Sequence, residues 1–201
     1  MTEHTRIDIR IATAADQSAV VRVLSQAFAD DPVFSWIYPD PATRARVLPG
    51  FFALFAEHSA HREVNQVAGD GWGASIWAPP GESIVDPADS EAFGAALVLL
   101  SPSDAERLMA SDELFEAHHP TEPHWYLSLI GVADGHQGEG IGSALLRDAL
   151  ERADRSAMPS YLEATRPENR RLYERHGFVV TDELVLPDGP TAYAMWRDPG
   201  V

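Results

Sequence analysis

The sequence predicts an α/β protein with a mixed sheet, and three observations lead to that fold class. Apolar or alternating segments typical of strands recur along the whole chain. In the C-terminal half they alternate with amphipathic segments, in the order strand, helix, strand, helix, strand, strand. A chain of 201 residues, 45% hydrophobic and 23% charged, is long enough to bury a core. We therefore expect one domain over residues 1–201.

The N-terminal half gives mixed helix and strand signals. Turn chemistry sets most of the expected limits, because Asp, Thr and Pro favour helix starts and Asp-Gly favours hairpins. The predicted elements are a strand at Ile7–Ile11, a helix from Thr13 to about Pro32, an aromatic connector at Val33–Tyr38, a helix from Asp40-Pro41 that is kinked or restarted at Pro49-Gly50, and strands at Glu63–Ala68 and Gly73–Ala78.

The C-terminal half is more regular after an irregular stretch at residues 82–120, which we interpret as a helical insertion. A long apolar segment there predicts a central strand covered on both faces. The predicted elements are helices at Ser90–Leu100 and Ser103–His118, a strand at Trp125–Val132, a helix at Gly142–Asp154, a strand at Tyr161–Ala164, a helix at Pro167–His176, and strands at Val179–Val185 and Thr191–Trp196.

Charge and missing residue types exclude several function classes. The net charge is −16, which argues against nucleic acid as a partner and is compatible with a cationic small substrate. The chain contains no cysteine, which excludes disulfides and a cysteine nucleophile. It also contains no lysine, since all 15 basic residues are arginine, and this excludes a Schiff base.

The segment His124–Ser143 carries the clearest site signal, an apolar strand followed by a glycine-rich loop that opens a helix. Such a loop and helix N-terminus form an anion site suited to a pyrophosphate. A P-loop is excluded by the missing lysine. A dinucleotide-binding fingerprint is disfavoured, because the glycines have the order GxGxG and lie in the C-terminal half.

Two motifs together resemble the GNAT family of N-acetyltransferases. Gln137-x-x-Gly140-x-Gly142 after the strand ending Ile130-Gly131-Val132 resembles the family's first signature. The segment from Asn169 through Tyr173 to Gly177-Phe178 resembles its second signature. The resemblance implies a central mixed, mostly antiparallel sheet that is splayed between its two central strands and flanked by helices.

The resemblance also implies acetyl-CoA as co-substrate and an amine as acceptor. Tyr173 takes the position of the general acid, and Glu163, expected to face the cleft, is the candidate base that acts directly or through water. Backbone N–H groups near Ile130–Val132 are expected to polarise the thioester carbonyl. The residues expected to bind acetyl-CoA are Ile130, Gly131, Val132, Gln137, Gly138, Glu139, Gly140, Ile141, Gly142, Ser143 and Asn169.

The acceptor is less well defined than the acetyl donor. Our first expectation is the amine of an antibiotic-like or nucleoside-like small molecule, and the alternatives are another small amine or a peptide or protein N-terminus. An acyl-CoA-binding module without catalysis is the alternative from another class. Candidate acceptor contacts are an aromatic wall of Phe34, Trp36 and Tyr38 and the carboxylate of Asp31, although core packing and a solvated helix end explain these residues equally or better.

The remaining expectations concern metals, partners and location. His118, His119 and His124 match no metal-ligand spacing, and their Pro-rich surroundings predict solvent exposure, so we expect no metal. The apolar stretch Ala95–Leu100 is either core or a homodimer interface. The N-terminus lacks the apolar segment of a signal peptide, and no apolar run approaches the about 20 residues of a membrane span, so we expect a cytoplasmic protein with no membrane partner.

Overall fold

The computed structural model describes residues 7–200, and within them seven strands form one sheet. The order is β1-β2-β3-β4-β5-β7-β6, with only the β4–β5 pair parallel. The strands are β1 (Ile9–Ile11), β2 (Gln66–Ala68), β3 (Gly73–Ala78), β4 (Trp125–Val132), β5 (Ser160–Ala164), β6 (Val179–Val185) and β7 (Thr191–Arg197). The mixed, mostly antiparallel sheet is confirmed. Residues 1–6, which include most of the N-terminal segment assessed for a signal peptide, lie outside the described residues.

Seven α-helices cover the two faces of this sheet within residues 7–200. They are α1 (Gln17–Ala27), α2 (Pro32–Ile37), α3 (Pro41–Ser59), α4 (Ser90–Leu100), α5 (Ala105–His118), α6 (Ile141–Arg155) and α7 (Pro167–Glu174). One hydrophobic cluster joins α1, α2 and α3 to one face of β3 and β4. A second cluster joins α6 and α7 to the other face. No helix among these residues is both long and apolar enough to cross a membrane.

The aromatic segment after α1 differs from its prediction. It forms helix α2, not a connector, because Pro32 occupies the first helical turn and the Asp31 side chain accepts hydrogen bonds from Val33 N and Phe34 N. Both features favour a helix start. Helix α3 also runs through Pro49 without restarting. The predicted insertion at 82–120 contains α4 and α5, and Leu99 in α4 is 75% exposed.

Helix α6 has the inward face that the sequence predicts. Leu145, Leu146, Ala149 and Leu150 are all buried. They pack against side chains of several strands that point to this face, including Trp77 of β3 and Leu127 of β4. This packing fixes the start of α6, and with it the glycine loop, beside the C-terminal end of β4.

Candidate active site

The central feature of the site is a gap between β4 and β5. Their parallel pairing covers only three residue pairs, from Trp125 with Ser160 to Leu127 with Leu162. At this point β4 bulges, because Ile76 of β3 pairs with Leu129 and the next residue of β3 pairs with Leu127. A bulge bends its strand and increases the local twist. The end of β4 therefore separates from β5, as the splayed sheet requires.

The glycine loop lies beside this gap and has the geometry of an anion site. Gly138 and Gly140 have φ angles of +81° and +83°, a region that strongly favours glycine. A Cβ atom added to either would meet no atom within 4 Å, so the backbone is open on that side. The first intrahelical bond here runs from Ala144 N to Gly140 O. The preceding N–H groups of the helix, at 141–143, are free to bind an anion.

A cleft of about 670 Å³ connects the glycine loop to the gap. Ten of the eleven predicted acetyl-CoA contacts line it, and Glu139 is the one that does not. The Glu139 carboxylate is instead 3.1 Å from Nδ1 of His136, whose ring stacks on Trp72. The ten lining residues are Ile130, Gly131, Val132, Gln137, Gly138, Gly140, Ile141, Gly142, Ser143 and Asn169.

The cleft also contains residues that the sequence interpretation missed. The end of α1 contributes Gln26, Ala27 and Phe28 to one wall, and no sequence signal marks them. Arg166 and Arg175 contribute positive charge from the two ends of α7. A signal for these arginines does exist, since four of the chain's 15 basic residues cluster at 166–175 in an otherwise acidic protein.

Tyr173 projects from α7 into the cleft wall. Its side chain is buried, and its ring contacts Phe178 edge to face at 6.1 Å between centroids. Burial, together with the nearby Asp31 carboxylate, raises the pKa of the Tyr173 phenol. The hydroxyl therefore keeps its proton at neutral pH, and it is available as a proton donor.

Glu163 lies at the gap but on the opposite face of the sheet from Tyr173. It is the first residue of β5 beyond the last pair with β4, and its main chain pairs only with Ala194 of β7. Adjacent residues of a strand point to opposite faces, so Leu162 faces Tyr173 and Glu163 faces α5. The predicted orientation toward the cleft is therefore wrong. The carboxylate is instead reached from the α5 side of the gap.

Histidines and tyrosines surround Glu163. Nδ1 of His119 lies 3.7 Å from Oε1 of Glu163. The pKa of the Tyr126 phenol and that of Tyr161 are raised, first by burial and then by the Glu163 carboxylate. His124 is 7% exposed and contacts both tyrosine rings, so the predicted solvent exposure of this histidine is wrong. Within residues 7–200, no three His, Asp or Glu side chains are arranged to hold a metal ion.

Asp31 lies in the cleft wall, but its own chain already uses both carboxylate oxygens. Oδ1 accepts from Val33 N at 2.9 Å and Phe34 N at 3.3 Å, and Oδ2 accepts from the Thr165 hydroxyl at 2.5 Å. Burial raises the pKa of this carboxyl despite these bonds and the charge of Arg166. The side chain thus serves as a helix cap that ties α2 to the end of β5.

The predicted aromatic wall is part of the core and not of the cleft. Phe34 is 7% exposed and packs against three phenylalanine rings at 5.0–5.6 Å, and Tyr38 is 1% exposed. The indole of Trp36 packs on Gly189, where an added Cβ would lie only 2.6 Å from Nε1. These three residues belong to α2 or its C-cap, and the helix turns them toward α3 and the β6–β7 turn. The interpretation of Phe34, Trp36 and Tyr38 as acceptor contacts is therefore corrected.

Comparison with known proteins agrees with this geometry. The model of the Acetyltransferase (GNAT) family matches residues 51–178, more than half of the chain. An uncharacterized N-acetyltransferase of Schizosaccharomyces pombe is 26% identical over 195 residues, covering 86% of this chain and 74% of that protein.

Solved structures of related proteins share the fold over nearly the whole chain. A protein described as histone acetyltransferase HPA2 and related acetyltransferase, from Corynebacterium glutamicum, has a TM-score of 0.73 at 31% identity and 98% coverage of both chains. Arylalkylamine N-acetyltransferase 2 of Aedes aegypti has a TM-score of 0.63 at 15% identity, covering 96% of this chain and 99% of that one, which is a likeness of fold. The chain thus belongs to the GNAT family and is an N-acetyltransferase of that type.

Proposed function

We propose that this protein transfers the acetyl group of acetyl-CoA to the primary amine of a small molecule while both substrates are bound. One observation carries the proposal. The same gap in the sheet has a glycine loop suited to an anion beside it and a buried carboxylate on its α5 side. Because the chain has no cysteine, it cannot form an acetyl-cysteine, so direct attack of the amine on the thioester is the simplest route.

The cleft offers the acetyl donor backbone groups and two arginines, beside three aspartates that also line it. The open backbone at Gly138 and Gly140 and the N–H groups at the start of α6 suit a pyrophosphate. Arg166 and Arg175 add positive charge to a protein whose net charge is −16. The separated edge of β4 at 129–132 offers backbone groups to the amides of the pantetheine arm. An N–H group of this edge would polarise the thioester carbonyl.

Two side chains are placed to move the protons. Glu163 takes a proton from the incoming ammonium, directly or through water, which frees the nitrogen lone pair to form the C–N bond. As the C–S bond breaks, the Tyr173 hydroxyl donates its proton to the sulfur, and the second proton that the nitrogen loses as the amide forms returns, through water, to the Tyr173 oxygen. Burial disfavours both the phenolate of Tyr173 and the thiolate of CoA. The pKa of the thiol therefore rises together with that of Tyr173.

For the acceptor we propose a puromycin-like amine as the first candidate. The support is a resemblance to puromycin N-acetyltransferase in segments along the chain, most densely from residue 117 to the end. Those segments include HHPTEPHWYLSLIGV, YLEAT and LPDGPTAYAM. The acidic net charge also favours approach of a cationic amine.

The test is CoA thiol release with puromycin, a polyamine, an arylalkylamine and a peptide with a free N-terminus. We expect thiol release with puromycin, and a decrease in kcat/KM of about tenfold or more at pH 7 in Glu163→Gln, because proton transfer by a positioned side chain accelerates the reaction. Thiol release with the polyamine or the peptide alone would mean that this compound, and not a puromycin-like amine, is the acceptor. Unchanged kcat/KM in Glu163→Gln would remove the base role, and no release with any amine would contradict amine acetylation.

A further inference from the structure

Two buried polar atoms on the α5 face make no hydrogen bond of good geometry among residues 7–200, although the two side chains that carry them interact with each other. They are Oε1 of Glu163 and the hydroxyl oxygen of Tyr161. The Glu163 side chain is only 5% exposed. Leaving such an atom unsatisfied costs about 1–3 kcal/mol, so buried polar groups are nearly always paired. Both atoms can accept a hydrogen bond, and a primary ammonium group has three N–H donors to offer them.

His119 connects this buried pair to solvent. It directly follows α5, and its Nδ1 is 3.7 Å from Oε1 of Glu163. That distance is slightly too long for a direct hydrogen bond, and one water or a small ring movement would close it. The ring is held edge-on by Tyr126 at 4.7 Å and by Tyr161 at 5.1 Å, while its side chain remains 29% exposed.

We propose that His119 carries the proton of the acceptor ammonium from Glu163 to solvent. The proposal rests on the proposed function, in which an ammonium and a thioester become an amide and a thiol with net release of one proton. Glu163 takes that proton from the ammonium N–H and becomes a neutral carboxyl group. Nδ1 of His119 then takes it from the carboxyl O–H. The imidazolium loses a proton to bulk water, and both side chains regain their starting charges.

The other titratable groups around His119 are poorly suited to this task. Burial raises the pKa of both tyrosine phenols, which therefore remain neutral. Burial lowers the pKa of His124, whose Nδ1 is already 2.6 Å from a backbone carbonyl oxygen. The groups facing His119 are Glu163 and Tyr161 from β5, Tyr126 from β4, His124 from the preceding loop, and the more distant His118 and Asp182 at the β6 side.

His118 provides a matched control for a test by mutation. It is adjacent in sequence, with its Nδ1 2.8 Å from Leu114 O and its Nε2 3.8 Å from Asp182. With puromycin and acetyl-CoA, we expect His119→Gln to lower kcat/KM about tenfold or more at pH 6.5–7. We expect the loss to shrink toward pH 9, and added imidazole to restore turnover to His119→Ala. His118→Gln should stay within about twofold of wild type.

A second measurement does not depend on turnover. Diethyl pyrocarbonate modifies neutral imidazoles, and modification of His119 and His118 can be quantified by mass spectrometry without acetyl-CoA. We expect puromycin to protect His119 and not His118. Equal modification of His119 with and without the amine that supports thiol release, puromycin or the compound that replaces it, would overturn the proposal. Wild-type kcat/KM at all pH values in His119→Gln would overturn the relay and leave the proposed function standing, whereas no thiol release by wild type with any amine of the panel would contradict the proposed function.

Discussion

The cleft beside the glycine loop, which has walls from α6, α7 and the end of α1, and the cluster around Glu163 next to α5 are built in different ways. The cleft presents mainly backbone, namely the N–H groups at the start of α6, two glycines with positive φ and a separated strand edge. The cluster presents side chains from three separate parts of the chain, at positions 119, 124–126 and 161–163. A single 20-residue segment supplies most of the first region, and the second exists only after folding.

This difference separates binding of the acetyl donor, which depends on backbone, from recognition of the acceptor, which depends on side chains. Backbone donors bind an anion with little dependence on side-chain identity, so a short glycine motif is sufficient to identify them. Side chains decide which acceptor fits and where its proton goes. Substitutions in the cleft should therefore affect acetyl-CoA, whereas substitutions in the Glu163 cluster should affect the amine. Tyr173 lies in the cleft wall, but we propose that it acts on the leaving thiol, so its substitution should affect turnover and not acetyl-CoA binding.

The largest expected effect is that of Tyr173→Phe. Removing the hydroxyl should lower kcat about 100-fold, within the range typical of acid–base groups, and leave the acetyl-CoA KM within about twofold. The KM is expected to hold because the ring and its contact with Phe178 remain. Thiol-release kinetics over pH 7–9 measure both quantities. Unchanged kcat over that range would show that Tyr173 is not the general acid.

An intermediate effect is expected at Gly140, for which Gly135 is a matched control. Both have φ near +84°, both have open space where a Cβ would lie, and only Gly140 lines the cleft. Each substitution by Ala should strain the backbone by about 1 kcal/mol. Only Gly140→Ala should also weaken acetyl-CoA binding, by about tenfold in calorimetry. Equal affinities in the two variants would mean that the loop does not hold the pyrophosphate.

The smallest effect is expected for Asp31→Asn, because Asn caps a helix about as well as Asp. Folding raises the pKa of the Asp31 carboxyl, so the native state binds this proton more tightly than the unfolded state. Wild type should therefore lose stability relative to the variant as the pH rises above about 4. Denaturant unfolding at several pH values measures this difference. A large increase in the amine KM would instead give Asp31 a role in acceptor binding.

The sequence predicted regular elements well where hydrophobic pattern and turn residues agree. The limits of β4 and α4 and the inward face of α6 were found as predicted. The same dipeptide was interpreted differently at two places, however. Asp40-Pro41 was interpreted as a helix start and Asp31-Pro32 was not, although both begin helices with an Asp cap and Pro in the first turn. The missed helix explains why three core aromatics were placed in an acceptor wall.

Prediction of the site residues from sequence is limited in a similar way. Glu163 and Tyr173 could be selected by resemblance, but the face that Glu163 occupies depends on the strand register and on which helices cover each face. His119 is 44 positions before Glu163 in the chain, and the intervening β4 and α6 give no local sign of their contact. Such a pairing is set by the packing of α5 over β5 and β7, which hydrophobic periodicity alone does not specify.

The central claim is that acetyl-CoA and the amine reach one gap from two sides, acetyl-CoA along the glycine loop and the amine next to α5, and calorimetric titration of Glu163→Gln with acetyl-CoA tests it most directly. The variant removes a charge that lies on the α5 face, away from the glycine loop. We predict a Kd for acetyl-CoA within about twofold of wild type, alongside the lowered kcat/KM for the amine. A tenfold weaker Kd, like that expected for Gly140→Ala, would contradict the separation of the two sides.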